Sequence, residues 1–414
     1  MRLGDVANAG AASNGKPLDG VRVLALEQMQ ALPYATQLLA RLGADVVKIE
    51  SPNGGDLGRS SLPAVVDPEG RSVGATFLRN NLDKRSMCVD LKRPEGRDLV
   101  LRLAPRFDVV AENFKPGAMD RLGLGAADLA AVDERIIYVS VSGFGNTGDS
   151  PYRERPAFAS ITEAMSGIYT FTAGAGNQPV ANPVGALGDM SAALFATIGI
   201  LAALRHRDAT GRGQHVDVAM LDSVVAMTDI VANFWSLGLR GGDIGPVVLT
   251  TFRAADGWFV LQIGREQHFR SLADIVGHPE WVDDPRFAER AGWVEHLDST
   301  IRPAIESWAS ERTRDDACAA LSSAGLAAGP CATDDELVVD PHVAARNMLV
   351  EVERPDGVEQ PVLVPGNPVK LSAVAEGPEH RPPWLGEHTD DLLREELGLD
   401  DRTISGLRAD GVVS

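Results

Sequence analysis

Residues 21–50, VRVLALEQMQALPYATQLLARLGADVVKIE, decide the fold. Residues 21–27 are a short apolar run rich in β-branched side chains, which reads as a buried strand. Pro33 stands where a first helical residue would, since its fixed φ and missing N–H are harmless there. Thr36, Leu38, Leu39 and Leu42 follow at helical spacing, and Gly43 closes the helix. Residues 44–50 supply a second strand. A strand, a helix and a strand in this order predict parallel strands joined by a right-handed crossover.

The alternation continues outward. Strands are expected at 85–91, 108–114 and 136–141, with one helix opening at Pro94 and another over 126–132. This pattern predicts an α/β fold with an open, doubly wound, mostly parallel sheet. The first strand runs into EQMQALP rather than GxGxxG, so no dinucleotide cofactor is expected. Ligands on such sheets bind beyond the carboxyl ends of the strands. Residues 28–30, 50–53, Asn113, Phe114, Ser142 and Gly143 fall there. Asn113 and Phe114 offer an amide and an aromatic face that suit a purine; a turn amide and a core aromatic would read the same way.

The chemistry centres on residues 182–222, NPVGALGDMSAALFATIGILAALRHRDATGRGQHVDVAMLD. A loop carrying Gly185 and Gly188 ends on Asp189, an apolar helix is expected over 190–206, and a turn leads to a strand over 214–220. Asp189 has two compatible readings. It caps the helix, accepting from free N–H groups of the first turn. Or it is a nucleophile, with glycine-bounded backbone N–H groups stabilising an oxyanion beside it.

Upstream, residues 143–155 form a loop rich in helix breakers, and 158–167 read as helical. Downstream, 223–239 read as one long connecting helix. The composition changes at 241–246, so a smaller α+β domain is expected over 240–340. Short strands and a turn before a helix at 385–399 follow in the C-terminal segment, 341–414. Residues 1–16 are small, polar and loose, and read as a disordered tail.

The chain has 414 residues, 44% of them hydrophobic and 23% charged, with a formal net charge of −19. Such an acidic balance argues against nucleic acid and anionic membranes as partners. No apolar run reaches the length of a membrane span. Cys88, Cys318 and Cys331 make neither a metal-ligand spacing nor a disulfide framework, so a cytoplasmic location is expected and no metal site. Residues 79–121 go against the overall charge, with ten Lys or Arg against seven Asp or Glu. That reads as a mixed solvated surface or as a seat for an anionic ligand.

Several stretches, in order, resemble the class III CoA-transferases, the formyl-CoA transferase and carnitine CoA-transferase group, whose superfamily also holds α-methylacyl-CoA racemase. They are PLDGVRVLALEQMQALP, LGADVVKIE, NLDKRSMCVDLKRPEG, ENFKPGAMDRLG, GALGDM, RDATGRGQHVDVAM and LGEHTDDLL. The resemblance runs nearly the whole chain from Pro17. It implies an interlaced homodimer, each protomer having a Rossmann-like large domain built from residues 17–222 and 341–414, a connecting helix at 223–239, and the smaller domain. It implies an acyl-CoA and a carboxylic acid as substrates, with coenzyme A entering as a thioester and no permanently bound cofactor. The family's catalytic aspartate matches Asp189. Its carboxylate would attack the donor thioester, forming a mixed anhydride and then an aspartyl-CoA thioester. Gln30 matches a glutamine near the reacting carboxylate. Met29, Gln30, Val89, Lys92, Asn113, Phe114, Ala118 and Arg121 match CoA-contacting positions, with Lys92 and Arg121 toward phosphate.

The chain also departs from formyl-CoA transferase. An arginine after the second strand is Ser51 here, and a lysine of the loop before the catalytic region is replaced by Arg155. A glycine-rich flap is missing from 239–250 and from GREQHF. A tryptophan of the small-acid pocket falls near Ser61. Formyl and oxalyl substrates are not expected; a larger acyl group or another carboxylic acid is. Two other readings stay open. A racemase would need a histidine where Phe158 and Ala159 stand, and a non-catalytic CoA-binding protein would need no nucleophile.

Overall fold

The structure is a computed structural model and describes residues 1–174, 176–181 and 185–414. The chain forms two compact units, Met1–Ala232 with His342–Ser414, and Asn233–Pro341.

In the larger unit the strands are β1 (Arg22–Leu26), β2 (Asp45–Glu50), a hairpin of β3 (Ala64–Val66) and β4 (Ser72–Gly74), β5 (Lys84–Cys88), β6 (Val109–Glu112), β7 (Ile137–Ser142) and β8 (His215–Ala219). Six of them make one parallel sheet in the order β5-β2-β1-β6-β7-β8. Counted along the sheet strands alone, the order reverses between β1 and β6. A topological switch point there opens a crevice at the carboxyl ends of these two strands.

Period-two alternation sorts the strand side chains onto two cores. Val23, Ala25, Val46, Val109 and Val139 face α1 (Ala31–Arg41) and a long helix, Leu187–Thr210. Leu24, Leu26, Val47, Met87 and Val110 face the opposite layer, where Leu99, Val100 and Leu103 of helix Pro94–Leu103 pack. Leu392, Leu393 and Ile404, from helices Thr389–Leu397 and Asp401–Ala409, complete that second layer, so the C-terminal segment belongs to the larger unit.

The N-terminal residues are not a loose tail. Arg2 bridges to Glu351 and Ala7 to Glu376, and the Met1 amino group donates to the Leu349 carbonyl at 3.1 Å. Met1 and Leu3 pack on Val350, Val352 and Val364. Backbone pairing with a distant segment fixes what composition alone suggested would stay free. The helix expected over 223–239 is divided into Met220–Met227 and Asp229–Ser236, with Thr228 between them in an extended conformation. The Thr228 hydroxyl donates to the Val224 carbonyl at 3.0 Å, a local bond that competes with helix continuation.

The smaller unit holds an antiparallel sheet in the order β11 (Ala327–Pro330), β10 (Gly257–Ile263), β9 (Val248–Ala254). Helices Glu266–Ile275, Arg302–Ala309 and Arg314–Ser323 cover it. Its core is aromatic: Phe269 stacks on Trp293 with centroids 4.6 Å apart, and Phe252, Phe259 and Trp281 are buried with them.

Candidate active site

The crevice is built at the exit of β1. Met29 adopts φ 65°, a left-handed conformation that leucine-like side chains rarely take. Its N–H is held by Asp56 Oδ1 at 2.8 Å. Asp56 is in turn paired with Lys48 at 2.8 Å, and both side chains are fully buried. Glu27, the last residue before the crevice, accepts from Lys84 at 2.7 Å and from the Thr36 hydroxyl at 2.8 Å. Burial opposes ionisation of Glu27, but Lys84 and Lys48 overcome it and hold the carboxyl below its usual range. Burial pulls Lys84 down to about 8 despite Glu27. Glu50 accepts both Arg59 Nε, at 2.7 Å, and Arg59 Nη2, at 2.6 Å. These buried pairs are costly to assemble and costlier to break, because a lost partner strands a charge. They fix the backbone of residues 27–29 rigidly.

Across the switch point, Asn113 uses its whole amide to lock β6 to β1. Its Oδ1 accepts from Gln28 N and its Nδ2 donates to Gln28 O, both at 2.9 Å. The side chain expected to read a purine is therefore committed to the backbone. Phe114 is both a core residue and a cavity wall. It packs partly buried against the core, and it lines a cavity of about 170 Å³ together with Gln28, Ser51, Asp56, Val89 and Lys92. Lys92 is exposed and forms no ion pair among the described residues. Ala118 and Arg121 lie on the short helix Ala118–Leu122 just after Phe114, and neither lines the cavity. Arg155 is not brought to it; its guanidinium lies 4.5 Å from the ring centroid of Tyr152.

The long helix, α2 (Leu187–Thr210), starts earlier than its apolar pattern suggested. Asp189 is thus inside the first turn, and the position before the helix is Ala186, with φ 44° and no side-chain cap. The capping reading of Asp189 is corrected. Asn182, Pro183 and Val184, which begin the expected loop, lie outside the described residues. Gly185 has φ 91°, which suits glycine. Gly188 is needed for closeness. A Cβ there would fall 2.7 Å from Thr162 Oγ1 and 3.0 Å from Ala159 Cα. Its N–H, offered by the sequence reading to an oxyanion, donates to Glu163 Oε1 at 3.0 Å.

Glu163, on helix Ala159–Met165, is buried and also accepts from the Tyr169 hydroxyl. It is the capping carboxylate of α2, supplied from another helix. No donor among the described residues bonds to the carboxylate of Asp189, which is partly buried. Burial, and then the negative charge of Glu163, raise it to about 6, against the opposing pull of Arg79. Arg79 connects this turn to the crevice. Its Nη1 is 3.3 Å from Gln30 Oε1 and 3.5 Å from the sulfur of Met190, the residue after Asp189. The sequence showed Arg79 only as one cation of a basic segment, and Glu163 only as one polar residue of a helix; neither carries a local signal.

The model of the family described as CoA-transferase family III matches residues 18–389. A succinyl-CoA–D-citramalate CoA-transferase of Chloroflexus aurantiacus is 37% identical over 411 residues, covering 96% of this chain and 98% of the relative. A succinyl-CoA:mesaconate CoA-transferase of Haloarcula hispanica is 35% identical, covering 93% and 98%. A formyl-CoA:oxalate CoA-transferase of Rhodopseudomonas palustris is 32% identical, covering 96% and 97%. Among solved structures, a CAIB/BAIF family protein from Brucella suis superposes with a TM-score of 0.80 at 34% identity, over 92% of this chain and all of that one.

Proposed function

The chain belongs to CoA-transferase family III and is an acyl-CoA:carboxylate CoA-transferase, and from that premise we propose that Asp189 is its nucleophile. The observation that carries the proposal is the Asp189 carboxylate. It sits in the first turn of a helix, unbonded among the described residues and raised to about 6, so it is mostly ionised at neutral pH yet poorly stabilised.

The reaction then runs as two symmetrical exchanges. A carboxylate oxygen of Asp189 attacks the thioester carbonyl, the C–S bond breaks, and CoA thiolate leaves an aspartyl acyl anhydride. The thiolate attacks the aspartyl carbonyl, giving an aspartyl-CoA thioester and releasing the donor acid. The acceptor carboxylate attacks that thioester and again expels thiolate, which takes the new acyl group and frees Asp189. No net proton moves, so no general base is demanded. Asp189 shuttles between carboxylate, anhydride and thioester, and Gln30 stands nearby as an amide able to donate to a developing oxyanion. The cavity at Phe114, Val89 and Lys92, which Gln28 also lines, would take the nucleotide end of CoA. Lys92 and Arg121 would meet phosphate, and Met29 and Ala118 would line the path.

The racemase reading finds a phenyl ring and a methyl group at Phe158 and Ala159, neither of which is an acid or base that can exchange a proton. Mass spectrometry of the protein mixed with a panel of acyl-CoAs tests the nucleophile directly: an acyl or CoA adduct is expected on Asp189. Asp189→Ala is expected to lose transfer by orders of magnitude while still binding CoA. Unaltered transfer by that variant, or rapid Cα exchange of a 2-methylacyl-CoA in D₂O, would overturn the assignment.

We also infer a homodimer. Leu194, Ile198 and Leu201 form an exposed apolar stripe along α2, at 42%, 59% and 36% exposure. This helix is long and apolar enough to cross a bilayer by length and composition, but half of its apolar window is buried in the molecule. A second copy of the chain would cover the stripe. Light scattering that returns a monomer mass would remove this inference. The three cysteines are free, which favours a reducing, cytoplasmic setting.

A further inference from the structure

Register in the parallel sheet sets two rows of side chains abreast on the face that packs against helix Pro94–Leu103. One row is Leu24, Val110, Tyr138 and His215; the next, toward the carboxyl ends, is Leu26, Glu112, Ser140 and Asp217. The face is apolar under β1 and turns polar toward β8. Most of the polar end is engaged locally. Asp217 accepts the N–H groups of Asn146 and Thr147 at 2.9 and 2.7 Å and the Ser140 hydroxyl at 3.0 Å.

Glu112 is buried, and both of its partners are neutral donors. Its Oε2 accepts from Phe114 N at 2.8 Å and its Oε1 from the Tyr138 hydroxyl at 3.2 Å. It forms no ion pair among the described residues. The buried Glu27, Glu50 and Glu379 each meet a cation, at 2.7, 2.6 and 3.0 Å. Glu163 does not, and it holds the Gly188 N–H beside Asp189. Glu112 likewise spends its carboxyl on a backbone N–H at a segment of the site. Asn113 ties the preceding residue to Gln28, so the Phe114 ring is set at the cavity wall from behind.

The carboxyl also stands uncompensated behind a wall that an anion would approach. Burial raises it to about 7; the bonds from Phe114 and Tyr138 oppose this, and the charges of Asp120 and Asp217 add to it. Burial lowers His215, which is therefore neutral, and burial together with Glu112 raises Tyr138, which keeps its proton. Lys115 and Arg121, the cations of the turn and helix that follow, are exposed and form no ion pair among the described residues.

Resting on the reading of this cavity as the seat of CoA, we propose that Glu112 is a positioning residue for the nucleotide end of CoA, acting through Phe114, and that CoA binds best to the form with a protonated Glu112 carboxyl. The protonated group keeps both bonds: its carbonyl oxygen accepts from Phe114, and its O–H points at the Tyr138 oxygen. Ionisation would put an unpaired buried charge near the phosphates. Binding therefore draws a proton from solvent.

The test is calorimetric titration of CoA, which has no acyl group to give to Asp189, into wild type, Glu112→Gln, Glu112→Ala and Phe114→Ala from pH 6 to 8.5. Comparison at equal pH cancels the titration of the CoA phosphates. Glutamine copies the protonated form, with its carbonyl toward Phe114 and its amide toward Tyr138. Glu112→Gln should match wild type at pH 6 and bind on the order of fivefold tighter than wild type at pH 8.5. Glu112→Ala leaves the Phe114 N–H without its acceptor and should weaken binding on the order of tenfold at pH 6. Wild type titrated at pH 7.5 in two buffers of different ionisation enthalpy should show net proton uptake, a readout that needs no variant. Proton release or no exchange overturns the proposal. So does a Glu112→Gln affinity that tracks wild type across the pH range, or a Glu112→Ala variant that binds like wild type at pH 6. Phe114→Ala separates the premise. If it binds CoA like wild type, the cavity is not the seat and the proposal falls with it; if it binds weakly while the Glu112 variants are unaffected, only the Glu112 assignment falls.

Discussion

Replacing Asp189 by Asn should make the protein more stable while abolishing its chemistry. The carboxyl is raised from its ordinary 3.8 to about 6, first by burial and then by Glu163. The native state therefore holds the proton more tightly than the unfolded state does. The sign follows: ionisation destabilises the native state, the penalty is complete above pH 6, and it vanishes below the unfolded value near 3.8. The gap from 3.8 to 6 is worth at most about 3 kcal/mol at about 1.36 kcal/mol per pH unit. Residual solvent contact reduces this, so a gain of about 1–3 kcal/mol is expected for Asp189→Asn at pH 8. At pH 5 the unfolded carboxyl is mostly ionised and the native one mostly protonated, so about half of the gain remains. Urea titrations of wild type and variant, followed by circular dichroism at the two pH values, give the difference directly. A variant that is less stable at pH 8, or a gain that does not change with pH, would refute the reasoning. Either result would mean that the carboxylate is well satisfied in the native state, and a satisfied carboxylate has no reason to be reactive.

Glu163→Gln removes the like charge next to Asp189, so the acid limb of the kcat/KM profile should move to lower pH; a fixed or upward-moving limb would separate the two carboxylates. Gly188→Ala places a methyl group 2.7 Å from Thr162 Oγ1 and 3.0 Å from Ala159 Cα, and should cost about 1–3 kcal/mol in denaturant titrations, with transfer reduced because the first turn of α2 must shift. A variant as stable as wild type would show that the two helices part easily. Lys48→Met leaves Asp56 and Glu27 buried without this cation, and a loss of about 3–5 kcal/mol is expected. The same variant should raise KM for acyl-CoA, since Asp56 holds the backbone of Met29; stability lost with KM unchanged would confine the network to folding.

Much of the large unit was legible in one dimension because its signals are local. The strand at 22–26, the helix at 31–41 and the strand at 45–50 each carry their own periodicity, and period-two alternation in β1 dictates which side chains face which layer. The GALGDM stretch announced a glycine-bounded helix start with a carboxylate in it. Boundaries were harder. Leu187 and Gly188 give no sign that the helix has already begun, because the capping group is Glu163 from another helix. The order at the N-terminus was hidden for the same reason, as Arg2 and Ala7 pair with Glu351 and Glu376.

What the sequence alone determined is the alternating α/β pattern, the absence of a dinucleotide fingerprint and the identity of a carboxylate set among glycines. Only the tertiary structure decided how that carboxylate is tuned and what stands beside it. Arg79 meets Gln30 and Met190, 49 and 111 residues away along the chain, and Glu163 reaches Gly188 across 25 residues. Charge and burial act through space, and no periodicity in a linear chain encodes which distant side chains will share a low-dielectric corner.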